Sequence, residues 1–181
     1  ALRTDLVLKG GRRKIMNKDP EIKNIDAARP AVMKEKLATG QITLAEYAGL
    51  SRQQLYEIAG RGYQMLNSGK LDEAETIYRG LVAADPYDSV FHCHLGAVYF
   101  RKGEMDKAFD EYSAALRFNI ANVDALAGRG EIYLQKGLLK EGVEDLRKAL
   151  ENDPEAKRPS TQRARALLVS LREAARKQAA N

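Results

Sequence analysis

The chain has 181 residues, 44 % of them hydrophobic and 30 % charged, with 14 Gly, 5 Pro, one Cys and no Trp. That suits one domain with a core of its own, while a single thiol excludes an internal disulfide and points to a reducing, intracellular setting, and no apolar run approaches the roughly 20 residues of a membrane span. The formal charge of +5 divides into +4 over residues 1–30, −4 over the body and +5 over residues 155–181, so the basic excess that would suggest nucleic acid belongs to the ends.

The first ten residues, ALRTDLVLKG, lack the continuous apolar core of a signal peptide. Ala1 opens the sequence and Met16 lies inside it, so residues 1–15 read as an upstream extension or a vector remnant, and residues 1–30 as a mobile basic tail without periodicity. Residues 31–50 form a helical segment. Two short helices, AVMKEKLA and TLAEYA, flank Gly40, and Thr43 with Glu46 forms a capping box at the start of the second.

From residue 51 a repeat organises the chain. Gly69, Gly103 and Gly137 recur every 34 residues, and other columns keep the same period: Gly62, Gly96 and Gly130; Leu71, Met105 and Leu139; Ala74, Ala108 and Gly142; Tyr78, Tyr112 and Leu146; Pro86, Ile120 and Pro154. Each unit reads as two antiparallel helices. In the first unit one runs from about Leu55 to Ser68, after a Ser51–Gln54 capping box. Gly69 takes the turn, where positive φ costs glycine little. The second helix runs from Leu71 to Ala84 and stops before Pro86, because proline disfavours helix in the residue preceding it. Small residues at Gly62 and Ala74 allow close approach, Tyr78 fills the space between the helices, and Asp88 or Ser89 caps the next unit.

These columns resemble the tetratricopeptide repeat (TPR). The expected fold is therefore all-α: a superhelix of three helix-turn-helix repeats over 51–154 (about 55–88, 89–122 and 123–154), with N-terminal helices and a C-terminal capping helix over 155–181. Ile120 in place of Pro, Gly142 in place of Ala and Leu146 in place of an aromatic predict that the third unit packs most loosely. Ser160 or Thr161 is expected to start the last helix, with an apolar face of Ala164, Leu167, Leu168, Leu171 and Ala175. Its other face carries Arg163, Arg165, Arg172 and Arg176, and solenoids need such a solvated cap to seal the final repeat.

Catalytic readings fail on geometry. His92, Cys93 and His94 resemble a ligand cluster or a Cys/His nucleophile pair, but helix neighbours one and two apart point in different directions. They read instead as packed or groove-lining residues. The glycines mark turns and helix contacts at a fixed period and form no phosphate loop. Neither an enzyme, nor a metal site, nor a cofactor is expected.

What remains is the concave face lined by the first helices of successive TPRs. The candidate groove residues are Tyr56, Ala59, Tyr63, Leu66, Val90, Cys93, Ala97, Phe100, Arg101, Glu131 and Leu134. Tyr56, Tyr63, Leu66, Val90 and Phe100 would form an apolar, aromatic strip suited to an extended peptide with apolar side chains. TPR proteins that grip acidic chaperone tails place Lys and Asn in the groove, whereas here Ala59, Tyr63 and Ala127 stand there with Arg101 the lone cation, so a carboxylate clamp is not expected.

The segments GQITLAEYAGLS, LYEIAGRGYQMLNSGKLDEAETIYRGLVAADPYDSVFHCHLGAVYFRKGEMDKA and, within them, Asp85 to Ser89 leading to Leu95-Gly-Ala97, resemble the class II chaperones of type III secretion, the LcrH/SycD-like translocator chaperones. The resemblance runs from about Gly40 to Pro154. It implies a cytoplasmic bacterial protein that holds hydrophobic translocator subunits in its groove before export and homodimerises through its N-terminal segment, with no specific nucleic acid and no membrane span. The competing expectation is a TPR scaffold organising a bacterial assembly such as a pilus, a magnetosome or secretion machinery.

Overall fold

The computed structural model describes residues 30–180, so the expectations for the basic tail over residues 1–29 lie outside the described residues. Helical residues 30–38 (α1) are followed by α2 (Leu44–Tyr47), α3 (Arg52–Asn67), α4 (Leu71–Ala84), α5 (Ser89–Lys102), α6 (Met105–Phe118), α7 (Val123–Gln135), α8 (Leu139–Asn152) and α9 (Pro159–Ala179). No strand occurs among the described residues. Helices α3, α5, α7 and α9 touch in succession as one layer. Helices α4, α6 and α8 form the second, each packed between two members of the first.

Local chemistry sets the boundaries. Ser51 and Gln54 close a capping box that starts α3 one turn earlier than the apolar periodicity predicts, and Thr43 with Glu46 does the same for the short α2, whose Ala45 is buried. Asp88 caps α5 and Asn122 caps α7, each by accepting from a backbone N–H of the first turn. Gly69, Gly103 and Gly137 sit at φ +79°, +79° and +76°, the left-handed region that lets each hairpin turn within a few residues. Helix α6 ends as α4 does although Ile120 replaces proline. Asn119 accepts from Ala121 N–H at 3.1 Å, as Asp85 accepts from Tyr87 N–H at 3.2 Å, so a side-chain turn does the work that proline would otherwise help with.

The periodic columns are one contact repeated three times. A Cβ on Gly62 would lie 2.9 Å from the Tyr78 ring, one on Gly96 2.8 Å from the Tyr112 ring, and one on Gly130 3.0 Å from Leu146. The large side chain of each second helix thus fills the space left by the missing side chain of the first. Tyr78 is fully buried, and its hydroxyl donates to the Ala59 carbonyl at 2.9 Å, which satisfies the polar end.

Two expectations need correction. The third hairpin is not loose: Gly130 and Gly142 face each other, and a Cβ on either would lie 3.2 or 3.0 Å from the other's carbonyl oxygen. Losing the alanine methyl brings the two backbones together, while Leu134 and Leu146 pack over the contact from its sides. The last helix begins at Pro159 rather than at Ser160 or Thr161. Proline suits a first helical position because its missing N–H has no partner there. Ser160 and Thr161 are buried and spend their hydroxyls on Asp124 and Asp153 instead of capping.

Candidate peptide-binding groove

The middle of α3, the N-terminal ends of α5 and α7, the loop after α6 and the residue that precedes α9 surround an open cavity of about 570 Å³. Its floor is made of small side chains, Ala59 on α3 and Cys93 on α5, both buried. Its walls are Tyr56 and Tyr63 on one side and Asn122, Asp124 and Arg158 on the other, with Val90 and His94 between. The tyrosines stay open to solvent, Tyr56 at 37 % and Tyr63 at 50 % exposure, although each is fixed by its neighbours. Tyr56 lies against Phe91 with ring centres 5.3 Å apart, and its hydroxyl donates to Asp88 at 2.9 Å. Tyr63 meets the edge of His94 at 5.6 Å, and His94 in turn stacks on Tyr78 at 5.1 Å. Aromatic surface held rigid before a ligand arrives binds with less entropy loss than a mobile side chain would.

The polar wall is internally paired. Asp124 accepts from Arg158 at 2.7 Å and from Ser160 at 2.5 Å, so neither of its oxygens is left bare. The Cys93 thiol is pushed far up by burial and stays protonated, which makes it a small apolar floor group and not a nucleophile. Burial lowers the His94 pKa and keeps that ring neutral against the tyrosines. Among the described residues no three His, Cys, Asp or Glu side chains gather closely enough to hold a metal ion.

Of the residues named from sequence, Tyr56, Ala59, Tyr63, Val90 and Cys93 line this one cavity. The others lie elsewhere. Leu66 is buried in the core, its backbone carbonyl accepting from Arg101, and Ala97 and Phe100 are half-buried against the same core. Glu131 pairs with Arg163 at 3.1 Å, and Leu134 packs on Gly142. The expected strip is therefore shorter than the helix columns suggested: the C-terminal half of each first helix turns its apolar column toward its own hairpin partner. Sequence reasoning read His94 only as a packed or groove-lining residue and left Arg158 out of the groove. Arg158 reaches it because the segment before α9 folds back across the start of α7, for which the sequence carried no signal.

His92, one residue from the cavity floor, points the other way. Its Nδ1 lies 2.6 Å from the Glu111 carboxylate and its Nε2 2.9 Å from the Pro86 carbonyl, and its ring stacks on Phe118 at 5.6 Å. Both partners only accept, so both bonds form together only in the imidazolium. Burial works against that charge, and Arg117 opposes it more weakly, but the Glu111 and Pro86 bonds outweigh them and raise the pKa above its ordinary value. A raised folded pKa contributes stability that is fully present below the unfolded value near 6.5 and lost as pH rises through the folded value. His94, lowered, has the opposite sign. Urea midpoints of the wild type and His92→Gln compared between pH 6 and 8.5 should therefore converge with rising pH; a gap that widens would contradict the doubly bonded imidazolium.

A stack of helical hairpins with an aromatic groove and a small-residue floor defines a TPR solenoid, and the tetratricopeptide repeat family models match residues 96–137 and 123–155. The chain is 35 % identical over 121 residues to Low calcium response locus protein H of Yersinia pseudotuberculosis, covering 65 % of this chain and 70 % of that protein. It superimposes on the type III secretion translocator chaperone SycD of Yersinia enterocolitica with a TM-score of 0.61 at 28 % identity, covering 71 % of this chain and 98 % of that one. SycD in complex with a peptide of the translocator YopD matches with a TM-score of 0.58, at 28 % identity over 71 % and 96 % of the two chains. By contrast, the match to mouse Tetratricopeptide repeat protein 14, 36 % identical over 52 % of this chain, spans 12 % of that protein's length and reflects the repeat alone. The chain belongs to the LcrH/SycD family of type III secretion translocator chaperones.

Proposed function

We propose that the protein is a non-enzymatic chaperone that holds an apolar, unfolded segment of a type III secretion translocator in the groove before export, acting in the bacterial cytoplasm. The observation that carries this reading is the cavity between Tyr56 and Tyr63 over Ala59 and Cys93: aromatic walls, a floor of small side chains, and a polar wall whose charges are already paired. Such a site rewards apolar side chains and offers no unpaired cation to a carboxylate. SycD holding a YopD peptide in the related solenoid supports the same reading. No helix among the described residues is long and apolar enough to cross a membrane, which fits a protein that meets its client before the bilayer does. Homodimerisation through the N-terminal helical segment belongs to the same proposal.

Three apolar anchors at roughly 1.5–3 kcal/mol each, less the cost of ordering the peptide, give an affinity of about micromolar order for a short segment. Tyr63 is the more exposed of the two wall tyrosines, so Tyr63→Glu should leave the melting temperature little changed. The same change should weaken binding of a fluorescent client peptide by about tenfold or more, through a charge facing apolar side chains. The client co-expressed with the wild type should be soluble and with Tyr63→Glu should aggregate. Equal affinity of wild type and variant would move the client out of this cavity.

A further inference from the structure

Leu171 stands 34 residues after Gly137, where each earlier first helix has its turn. Helix α9 runs on past that point to Ala179, beside the α7–α8 turn. Between the two lies a second groove, of about 460 Å³, walled by Leu134, Leu139, Leu167, Leu171 and Ala174. Leu139 is 55 % exposed there, a large apolar side chain open to solvent. Among the described residues the one charged group lining the groove is Glu131, which is half-buried and already accepts from Arg163 at 3.1 Å. The remaining polar lining, Gln135 and Ser170, is neutral. The groove thus presents apolar surface and no free charge.

It also continues the face on which the client cavity lies. Asp124, Glu131 and Gln135 stand at i, i+7 and i+11 of α7, which puts them on one stripe of that helix. Asp124 lines the client cavity, and Glu131 and Gln135 line the second groove. On the facing side Arg158, just before α9, lines the cavity, and Leu167 and Leu171 line the groove. The two sites share the seam between α7 and α9, with the Glu131–Arg163 pair between them. From Asp124 to Gln135 the helix rises about 16 Å. Extended chain covers that in about five residues, or about seven from the cavity floor. A client segment held between Tyr56 and Tyr63 can thus run along the seam onto a surface of the same apolar chemistry. We propose that the groove between α7 and α9 is a second anchor for the same client, resting on the cavity as the first: one extended segment places two apolar clusters about seven residues apart, one in the cavity and one against Leu139.

The full chain is titrated with fluorescent synthetic peptides that carry either one Val-Leu-Val cluster or two, the two joined by a Gly/Ser linker of about seven or about two residues. The long-linker peptide should bind the wild type about tenfold or more tighter than the short-linker or single-cluster peptide, because its second contact forms within the complex. Leu139→Asp should erase that gain and leave single-cluster binding unchanged. Leu139 is exposed and opens α8, where an acid suits the helix N-terminus, so the fold should survive. Tyr63→Glu should weaken the single-cluster and long-linker peptides alike. If Tyr63→Glu weakens the single cluster but linker length makes no difference, or the gain survives Leu139→Asp, the second anchor is overturned and the cavity stands. Single-cluster binding indifferent to Tyr63→Glu would instead remove the cavity as the first site, and the second anchor with it. A wild-type dimer that Leu139→Asp dissociates in sedimentation velocity would give the groove to a second copy of the chain and also overturn the proposal.

Discussion

Tyr112→Ala is expected to destabilise the protein by about 3–5 kcal/mol, as loss of a large core side chain does when the surroundings cannot collapse. Tyr112 lies between two missing side chains. A Cβ on Gly96, in its own hairpin, would come within 2.8 Å of the ring, and one on Gly128, in the next repeat, would collide with it. The ring therefore wedges α5, α6 and α7 together, with glycine backbone against it on two sides. Tyr112→Phe keeps the wedge and should cost little. Gly128→Val should be as damaging as Tyr112→Ala, since the intruding atoms meet a ring that is itself confined. Urea denaturation of the three variants checks this, and a Tyr112→Ala midpoint equal to wild type would mean that the wedge carries no weight. Because stacked repeats are stabilised through their interfaces, the loss should broaden or split the transition and not merely shift it.

The wedge also shows how far the sequence could be read. The Gly96–Tyr112 contact was legible, because Gly62, Gly96 and Gly130 pair in period with Tyr78, Tyr112 and Leu146 and local hairpin geometry fixes which residues meet. The Gly128 contact was not, because it joins two repeats and its column is not uniform. The same column holds Gly60, where a Cβ would meet nothing for want of an earlier aromatic, and His94, which stacks on Tyr78. A contact that one repeat makes with glycine and another with histidine has no residue signature. The groove divides similarly. Tyr56, Val90 and Cys93 follow from helix phase in the first half of each first helix, and Tyr63 from the same phase two turns further along α3. Further along, phase alone could not say that Leu66 and Phe100 turn to the core, since that depends on how the paired helices converge.

Asp145→Ala is expected to cost about 3–5 kcal/mol, although it removes only a carboxylate midway along the third hairpin. Asp145 is 4 % exposed and takes both its oxygens to Arg129, at 2.7 and 3.1 Å, in a two-pronged contact across α7 and α8. Burial lowers the Arg129 pKa, but the Asp145 bond outweighs it and the net shift is upward. Removing the acid leaves a half-buried guanidinium with Tyr133 beside it, Ser113 at 3.5 Å and the more distant Glu144 charge, too little to offset its lost hydration. Replacing both partners, Arg129→Met with Asp145→Leu, removes the charge to be compensated and should recover most of the loss, because an apolar pair of similar volume is often as stable as the ion pair it replaces. A double variant no better than Asp145→Ala would mean that shape, and not the orphaned charge, sets the cost. Placement makes the pair informative about function as well: α7 carries Asp124 of the client cavity at its N-terminal end. Loosening its middle by Asp145→Ala should therefore weaken both the fold and client-peptide binding, where Tyr63→Glu should weaken peptide binding alone.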